Sequence, residues 1–417
     1  MKGKHQGVQA HILRENSRAF FTPCACHNLN LVLGDMAKSS SQAVTFLGVL
    51  QRIYVIFAAS PGRWKILEDA VPYNTAKSLS DTRWECRLQS VKALRYQMSE
   101  IREALFTVAD ESRDPMVKTE AESLANFEVG NFEFILATII WYDILFAVNT
   151  VSKSLQSADM QLDVAIQQIK GLVTYLTKYR DTGFHSAMIT AKEIASEMDV
   201  EQVFKQKRNR RKKRQFDYES TDERTSSGEH VFRTEYFLCI MEQAIMAMNI
   251  QFEQLKQYET LFGFLYNINT MRQLNDEDLL KCCMDLDIAL RSESSRDLDG
   301  ADLCSELKIF REILPEGVKS AMQCLQYLWS SRDSFPNTAI AYRILLTVPV
   351  TVASAERSFS KLKLVKNYLR STMSQDRLCG LAILSIEKDI ASNLEYEDLI
   401  NEFSTRKARK VDFINKH

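Results

Sequence analysis

Thr351–Arg370 reads TVASAERSFSKLKLVKNYLR. Phe359, Leu362, Val365 and Leu369 recur at spacings of three and four, the apolar face of a helix. Small residues, Ala353, Ser354 and Ala355, lead into the charged pair Glu356–Arg357. Ser354 or Thr351 offers an N-cap oxygen for that helix. Glu356 then falls in the first turn, where the helix dipole keeps a carboxylate ionised. On spacing alone, Glu356 improves the helix start.

The flanks of this stretch are helical too. Before it, Pro315 can head a helix carrying Val318, Met322, Leu325 and Leu328, and Asn337–Leu346 is an apolar helix closed by Val348-Pro349. After it, a turn at Ser371–Met373 leads to a helix from Ser374 with Leu378, Leu381, Leu384 or Ser385, and Ile386. Together these helices carry more apolar positions than one seam requires. The surplus, Ile340, Ile344, Leu345 and Val348 before the stretch and Leu378 and Leu381 after it, must be covered by the rest of the chain or by a second chain.

The 417 residues are 45% hydrophobic with 13 glycines and 7 prolines, the composition of a packed, mostly helical protein. A net charge of −1 hides local asymmetry and does not decide for or against nucleic acid. Nine irregularly spaced cysteines point to free thiols in a reducing compartment. The most apolar run, Phe134–Val148, is shorter than the ~20 residues a bilayer needs, so no membrane partner is expected. Neither a Gly-rich phosphate loop nor a hydrolase elbow occurs, so no small-molecule substrate is expected either.

From the N-terminus, His5–Glu15 reads as a helix and Ala19–Pro23 as a short buried strand ended by Pro23. Cys24 and His27 follow in CACHNLNL; two zinc ligands lack the second pair of a structural site, and a buried thiol with a hydrogen-bonded imidazole holding the turn is the competing reading. Gln42 to about Asp199 is helical almost throughout. Ser80 or Asp81 caps the helix that opens with Trp84, and Phe132–Leu155 and Leu162–Tyr179 form a hairpin. Lys205–Arg214, KQKRNRRKKR, places eight basic residues in ten positions within a polar loop of about 203–230. It reads as a nuclear localisation signal, a phosphate-binding patch or a solvated charge run. Helices resume at Val231, with Tyr236, Phe237, Ile240, Ala244, Met248 and Phe252 on one seam, and Asn275–Leu290 is another helix.

Three of these motifs carry a resemblance. Pro349, Ser354-Ala355-Glu356-Arg357 and Phe359 closely resemble the C-terminal signature of hAT-family transposases, S-x-E-R-x-F-S after small residues. Cys24–Leu31 resembles the family's C-x-x-H-x-L-N-L, and Thr82-Arg83-Trp84 its T-R-W. The chain is similar to zinc finger MYM-type and TTF-type hAT-like proteins, shortened at the N-terminus.

The resemblance implies a mainly α fold: a large helical insertion domain within a partial RNase H-like fold whose first strands are missing. Its parts are a remnant at 1–34, the insertion at 35–302, a dimerisation region at 303–392 and a tail at 393–417. Glu356 takes the place of the last of three metal-binding carboxylates. The other two, both Asp, precede a segment resembling Gly3-Lys4-His5-Gln6-Gly7-Val8-Gln9-Ala10, and neither Asp35 nor Asp81 stands in their context. Mg²⁺ is therefore implied only with the missing N-terminal part, and no other cofactor. The family's Trp, here Trp84 beside Arg83, stacks on bases turned out of DNA; the alternative is a core aromatic. With Lys207, Arg208, Arg210, Arg211, Lys212 and Lys213 these are the expected DNA-binding residues. The helices of 303–392, with Phe359 and Leu362 added to the apolar surplus above, would dimerise. The expected function is that of a catalytically inactive, self-associating protein, nuclear or otherwise cytoplasmic and associated with DNA. A fragment of an active transposase and a helical scaffold without a DNA role are the alternatives.

Overall fold

The computed structural model describes residues 7–71, 84–157, 160–204, 227–266, 268–292, 295–329, 334–351, 353–366 and 372–405, with only the backbone for 353–357. Arg83 and the basic residues from Lys207 to Lys213 lie outside these. The chain divides into two compact units, Met1–Thr351 and Val352–His417. The boundaries expected at 34/35 and 302/303 both fall inside the first unit, within helices.

The first unit begins with α1 (Val8–Glu15), α2 (Ala25–Lys38), α3 (Ser41–Ala58), α4 (Pro61–Ala70), α5 (Trp84–Tyr96), α6 (Met98–Glu111) and α7 (Pro115–Ser123). A π-helical stretch, Leu124–Val129, precedes α8 (Phe132–Leu155) and α9 (Leu162–Glu197). After α10 (Gly228–Val231) comes a second π-helical stretch, Phe232–Leu238. It continues into α11 (Cys239–Gln251), α12 (Glu253–Tyr266), α13 (Ile268–Gln273) and α14 (Asp276–Ala289). The unit closes with α15 (Gly300–Ile313), α16 (Ala321–Leu328) and α17 (Pro336–Thr347).

Local chemistry sets many of these ends. Ser40 accepts from the Ala43 N–H, Asp114 from Met116, Asn131 from Glu133 and Asn275 from Asp278, each an N-cap. Pro61, Pro115 and Pro336 occupy first-turn positions, where a missing N–H costs nothing. Pro315 does not head a helix. The helix begins six residues later, at Ala321, because Ser320 and Gln323 form a reciprocal capping box. The helix expected to end at Tyr179 runs on to Glu197, since Phe184, Ala187, Met188, Ala191 and Ala195 extend its buried stripe unbroken.

The centre of the unit is α8. Its Ile135, Leu136, Ile140, Trp141 and Ile144 are fully buried, and it packs on α9, α5 and α2. Trp141 stacks against Phe46 of α3, with centroids 6.2 Å apart and planes 6° off parallel. It also stacks against Trp84 of α5 at 6.4 Å and 14°. Its indole N–H donates to the Tyr236 hydroxyl at 2.9 Å, tying in the second π-helical stretch. At 24 residues α8 is longer than its most apolar run, and α3 and α8 are each long and apolar enough to cross a bilayer. In this fold both serve as core helices, with most of their apolar residues buried in the unit and Val44, Val55 and Phe146 exposed.

Ala19–Pro23 is not a strand, and among the described residues the fold has none beyond an isolated bridge between Arg291 and Arg296. Its backbone is held by side chains. The Tyr258 hydroxyl donates to the Phe21 carbonyl at 2.6 Å, and Phe20 lies edge-on to Tyr258 and Phe262. Among the described residues no neighbouring strand is there to form a ladder. The next residues close a long loop, for the Ala25 N–H donates to the Val350 carbonyl at 3.2 Å.

The second unit contains α18 (Ala353–Val365), α19 (Gln375–Ile386), α20 (Lys388–Ala391) and α21 (Glu397–Thr405). α18 starts at Ala353, so Ser354 lies inside the helix rather than capping it. The Thr351 hydroxyl sits 3.9 Å from the Cys24 thiol and 4.0 Å from the Cys26 thiol. The tail expected from residue 393 is in part helical, as α21.

Tyr236→Phe removes the acceptor of the buried Trp141 indole N–H without changing shape appreciably. It should cost about 1–3 kcal/mol in urea unfolding. Trp84→Ala should cost about 3–5 kcal/mol by opening a cavity in the stack.

Candidate functional site, a self-association region

In the first unit, α15, α16 and α17 build a small core around Phe310. Its ring lies 5.8 Å from Phe335 and 6.2 Å from both Tyr327 and Tyr342, over buried Leu303, Leu307, Cys324 and Ala341. α17 has no side-chain cap of its own. Glu306 of α15 supplies one, its carboxylate accepting from the backbone N–H of Asn337 at 3.1 Å and of Thr338 at 2.7 Å. A negative group at a helix N-terminus also meets the positive end of the dipole.

Arginines join this core to the helices before it. Arg272 donates to the Leu314 carbonyl at 2.6 Å, and Arg311 to the Leu274 carbonyl at 3.0 Å, so each helix end is closed by the other's side chain. Asp287 is buried at the end of α14 and accepts from Arg291 at 2.8 Å, from Arg296 at 2.9 Å and from the Gly300 N–H at 3.4 Å. The Arg296 hydrogen bonds hold its carboxyl below the usual carboxylate range against the opposing effect of burial. Gly300 is needed here for space: a Cβ would lie 2.9 Å from the Cys283 carbonyl oxygen and 2.9 Å from the Met284 sulfur.

The second unit is built in the opposite way. Leu378 is its one buried side chain among the described residues. Phe359 is 71% exposed, Leu364 78% and Phe403 63%, and Ile383, Leu384, Ile390, Leu394, Leu399 and Ile400 are all open. α18 packs on α19, and Lys361 bonds the Ser385 carbonyl, yet the apolar side chains of both helices remain largely uncovered.

Residues 301–390 match the hAT family C-terminal dimerisation region. The chain therefore carries a hAT dimerisation region. That region straddles the two units, with 301–351 in the first and 352–390 in the second. Its first half is partly covered, with Ile309, Ile313, Met322 and Trp329 left exposed. Leu345 is 2% exposed, and Ile340, Ile344 and Val348 are packed against the first unit's core, so Leu345 presents no open surface in this chain. Phe359, with Leu362 and Leu381 half-exposed, stays available; Leu378 is turned inward. The sequence reading missed Leu364, Ile383, Leu399, Ile400 and Phe403. The pattern of α21, with Leu399, Ile400 and Phe403 on one face, was the available signal.

The other expected site residues are placed as follows. Trp84 is 5% exposed, stacked on Trp141 and covered by the Arg87 guanidinium 4.0 Å from its ring centroid. It is a core aromatic here, with no face open to a base. Cys24 precedes α2, and His27 is exposed on α2 rather than holding the turn. The neighbouring Cys26 thiol is pushed far up by its hydrogen bond with Cys24 and by burial, the opposite of a reactive or ligating thiolate. Asn28 of the same motif does the structural work, donating from a buried position to the Gln251 carbonyl at the end of α11 at 2.6 Å. Among the described residues no three His, Cys, Asp or Glu side chains are grouped to hold a metal. The Glu356 side chain is not among them.

Asp287→Asn should cost about 2–3 kcal/mol at pH 7, because two arginines and a backbone N–H lose their anion. The folded carboxyl titrates below its unfolded value, so its contribution is complete above about pH 4 and is lost as the pH falls further. Urea unfolding at pH 7 and pH 3 should show the difference between wild type and Asp287→Asn shrinking at the lower pH.

Proposed function

We propose that this chain is a catalytically inactive, hAT transposase-derived protein that acts as a self-associating nuclear factor. One observation carries the self-association: the second unit holds a row of large apolar side chains in the open, within and just beyond the region matched to family dimerisation. A two-fold interface lets such a patch cover itself. Obligate interfaces commonly bury roughly 2,000 Å² or more, which survives dilution.

The proposed inactivity concerns residues 1–417, in which Glu356 is the one match to the family's three catalytic carboxylates. In-line attack on a phosphodiester needs two metals held by several converging carboxylates. Association with DNA and nuclear import rest on the basic run Lys205–Arg214. The partial RNase H-like framework belongs to the same reading, supported by the approach of Ala25 to Val350, which brings two distant family motifs together.

Light scattering on the purified chain should give about twice the monomer mass. Leu364→Glu and Ile383→Glu, both at exposed positions, should each weaken association about tenfold or more without unfolding the chain. A well-folded wild-type monomer at micromolar concentration overturns the reading. Replacing Arg210, Arg211, Lys212 and Lys213 by Ala should leave the circular dichroism unchanged and move a tagged protein to the cytoplasm. Unchanged nuclear accumulation would remove the import role from this run.

A further inference from the structure

The solvent side of α5, α8 and α9 in the first unit carries a band of aromatic rings. α5 and α9 both pack on α8, and α5 runs antiparallel to it. Lys153 pairs with Glu85 at 3.0 Å at one end of that seam, and the Tyr96 hydroxyl donates to that of Tyr142 at 3.2 Å at the other. Tyr96 meets Tyr142 edge-on at 5.5 Å, and Tyr142 stacks on Phe146 at 5.8 Å with planes 27° apart. On α9, Tyr175 stacks on Tyr179 at 5.8 Å and 21°, and the Tyr179 hydroxyl donates to Asp143 of α8 at 2.8 Å. The band thus reaches across all three helices, and Tyr96, Phe146 and Tyr175 are 57%, 54% and 40% exposed.

Positive charge surrounds these rings. Lys92 lies one turn before Tyr96 on α5 and Lys178 one turn after Tyr175 on α9, each on the same helix face as its ring. The Arg95 guanidinium lies 5.6 Å from the Tyr96 ring centroid, and its Nε is buried without a hydrogen-bond partner among the described residues. Neither lysine forms an ion pair among the described residues. The neighbouring acids Glu85 and Asp181 are paired with Lys153 and Arg180. Three cations therefore stand against Asp143, which is half-buried and already accepts from Tyr179. Ring faces set among cations suit a ligand that is flat and polyanionic. A cationic ligand would meet like charge, and an acidic peptide would leave the rings unused. In a duplex the bases cover one another's faces, whereas each unpaired base can stack on an aromatic ring while its phosphate meets a cation.

We propose that Tyr96, Phe146 and Tyr175 form a stacking platform for the unpaired bases of single-stranded DNA, with Lys92, Arg95 and Lys178 on its phosphates. The choice of DNA over RNA rests on the DNA association proposed above, but the platform makes no use of the basic run behind that reading. Fluorescence anisotropy on the full chain would use a labelled thymidine oligonucleotide, a duplex of the same length and a uridine RNA of the same length. Tyr96→Ala and Phe146→Ala, both at exposed positions, should each weaken the single strand about tenfold and leave the duplex unchanged. Tyr96→Phe keeps the ring and should bind as tightly as wild type. Lys92→Gln and Lys178→Gln should each flatten the dependence of log affinity on log salt by about 0.7. Replacing Arg210, Arg211, Lys212 and Lys213 by Ala separates the two readings. Single-strand binding that survives there and falls in Tyr96→Ala belongs to the platform, even if the run holds no DNA. No binding of the single strand, binding indifferent to both ring deletions, equal weakening of the duplex, or tighter binding of the RNA overturns the proposal.

Discussion

A single indole N–H dictates much of the packing in the first unit. Trp141 is fully buried on α8, and a buried donor left without an acceptor costs on the order of 1–3 kcal/mol. Its acceptor comes from Tyr236, 95 residues away, so the second π-helical stretch must lie against α8. The two faces of the same helix region then collect Phe46 and Trp84, bringing α3 and α5 into register with it. Four segments distant in sequence meet at one ring system. Burial of Trp84 follows from this arrangement, and with it the loss of any open face for a nucleobase.

A second constraint is the closing of helix ends. α15 and α17 enter the fold through groups supplied by other helices: Asp287 at Gly300, Glu306 at Asn337 and Thr338, Arg272 at Leu314, Arg311 at Leu274. Such charge-assisted bonds to backbone groups are directional, so they set orientation more sharply than apolar contact does. They draw the first half of the hAT dimerisation region into the first unit. The second half has no comparable set among its described residues and keeps its apolar side chains outside. Up to Thr351 the region buries Leu303, Leu307, Phe310 and Leu345 in the first unit and leaves Ile309, Ile313, Met322 and Trp329 exposed, whereas beyond it Leu378 alone is buried among the described residues; on that contrast we propose that α18–α21 carry the self-association.

Most of the helices were legible in the sequence, because caps such as Asn275, first-turn prolines such as Pro61 and the seam from Tyr236 to Phe252 are local signals. The family was legible from a few side chains around Glu356, and 301–390 bear it out. Ala19–Pro23 misled because an aromatic, Pro-ended run looks the same whether its carbonyls face a strand or a tyrosine hydroxyl. Pro315 misled because a proline can open a helix but does not have to, and a capping box further on was stronger.

The sequence by itself determined that the chain is helical, where most helices begin, and that its apolar positions near the C-terminus exceed what one seam can bury. Those properties depend on neighbours within a turn or two. Tertiary structure alone decided which apolar faces are covered. Leu345 and Phe359 read alike as apolar positions on amphipathic helices, yet one is sealed under the first unit and the other stands open. Burial depends on partners hundreds of residues apart, such as Asn28 with Gln251 and Ala25 with Val350, and no local pattern encodes them.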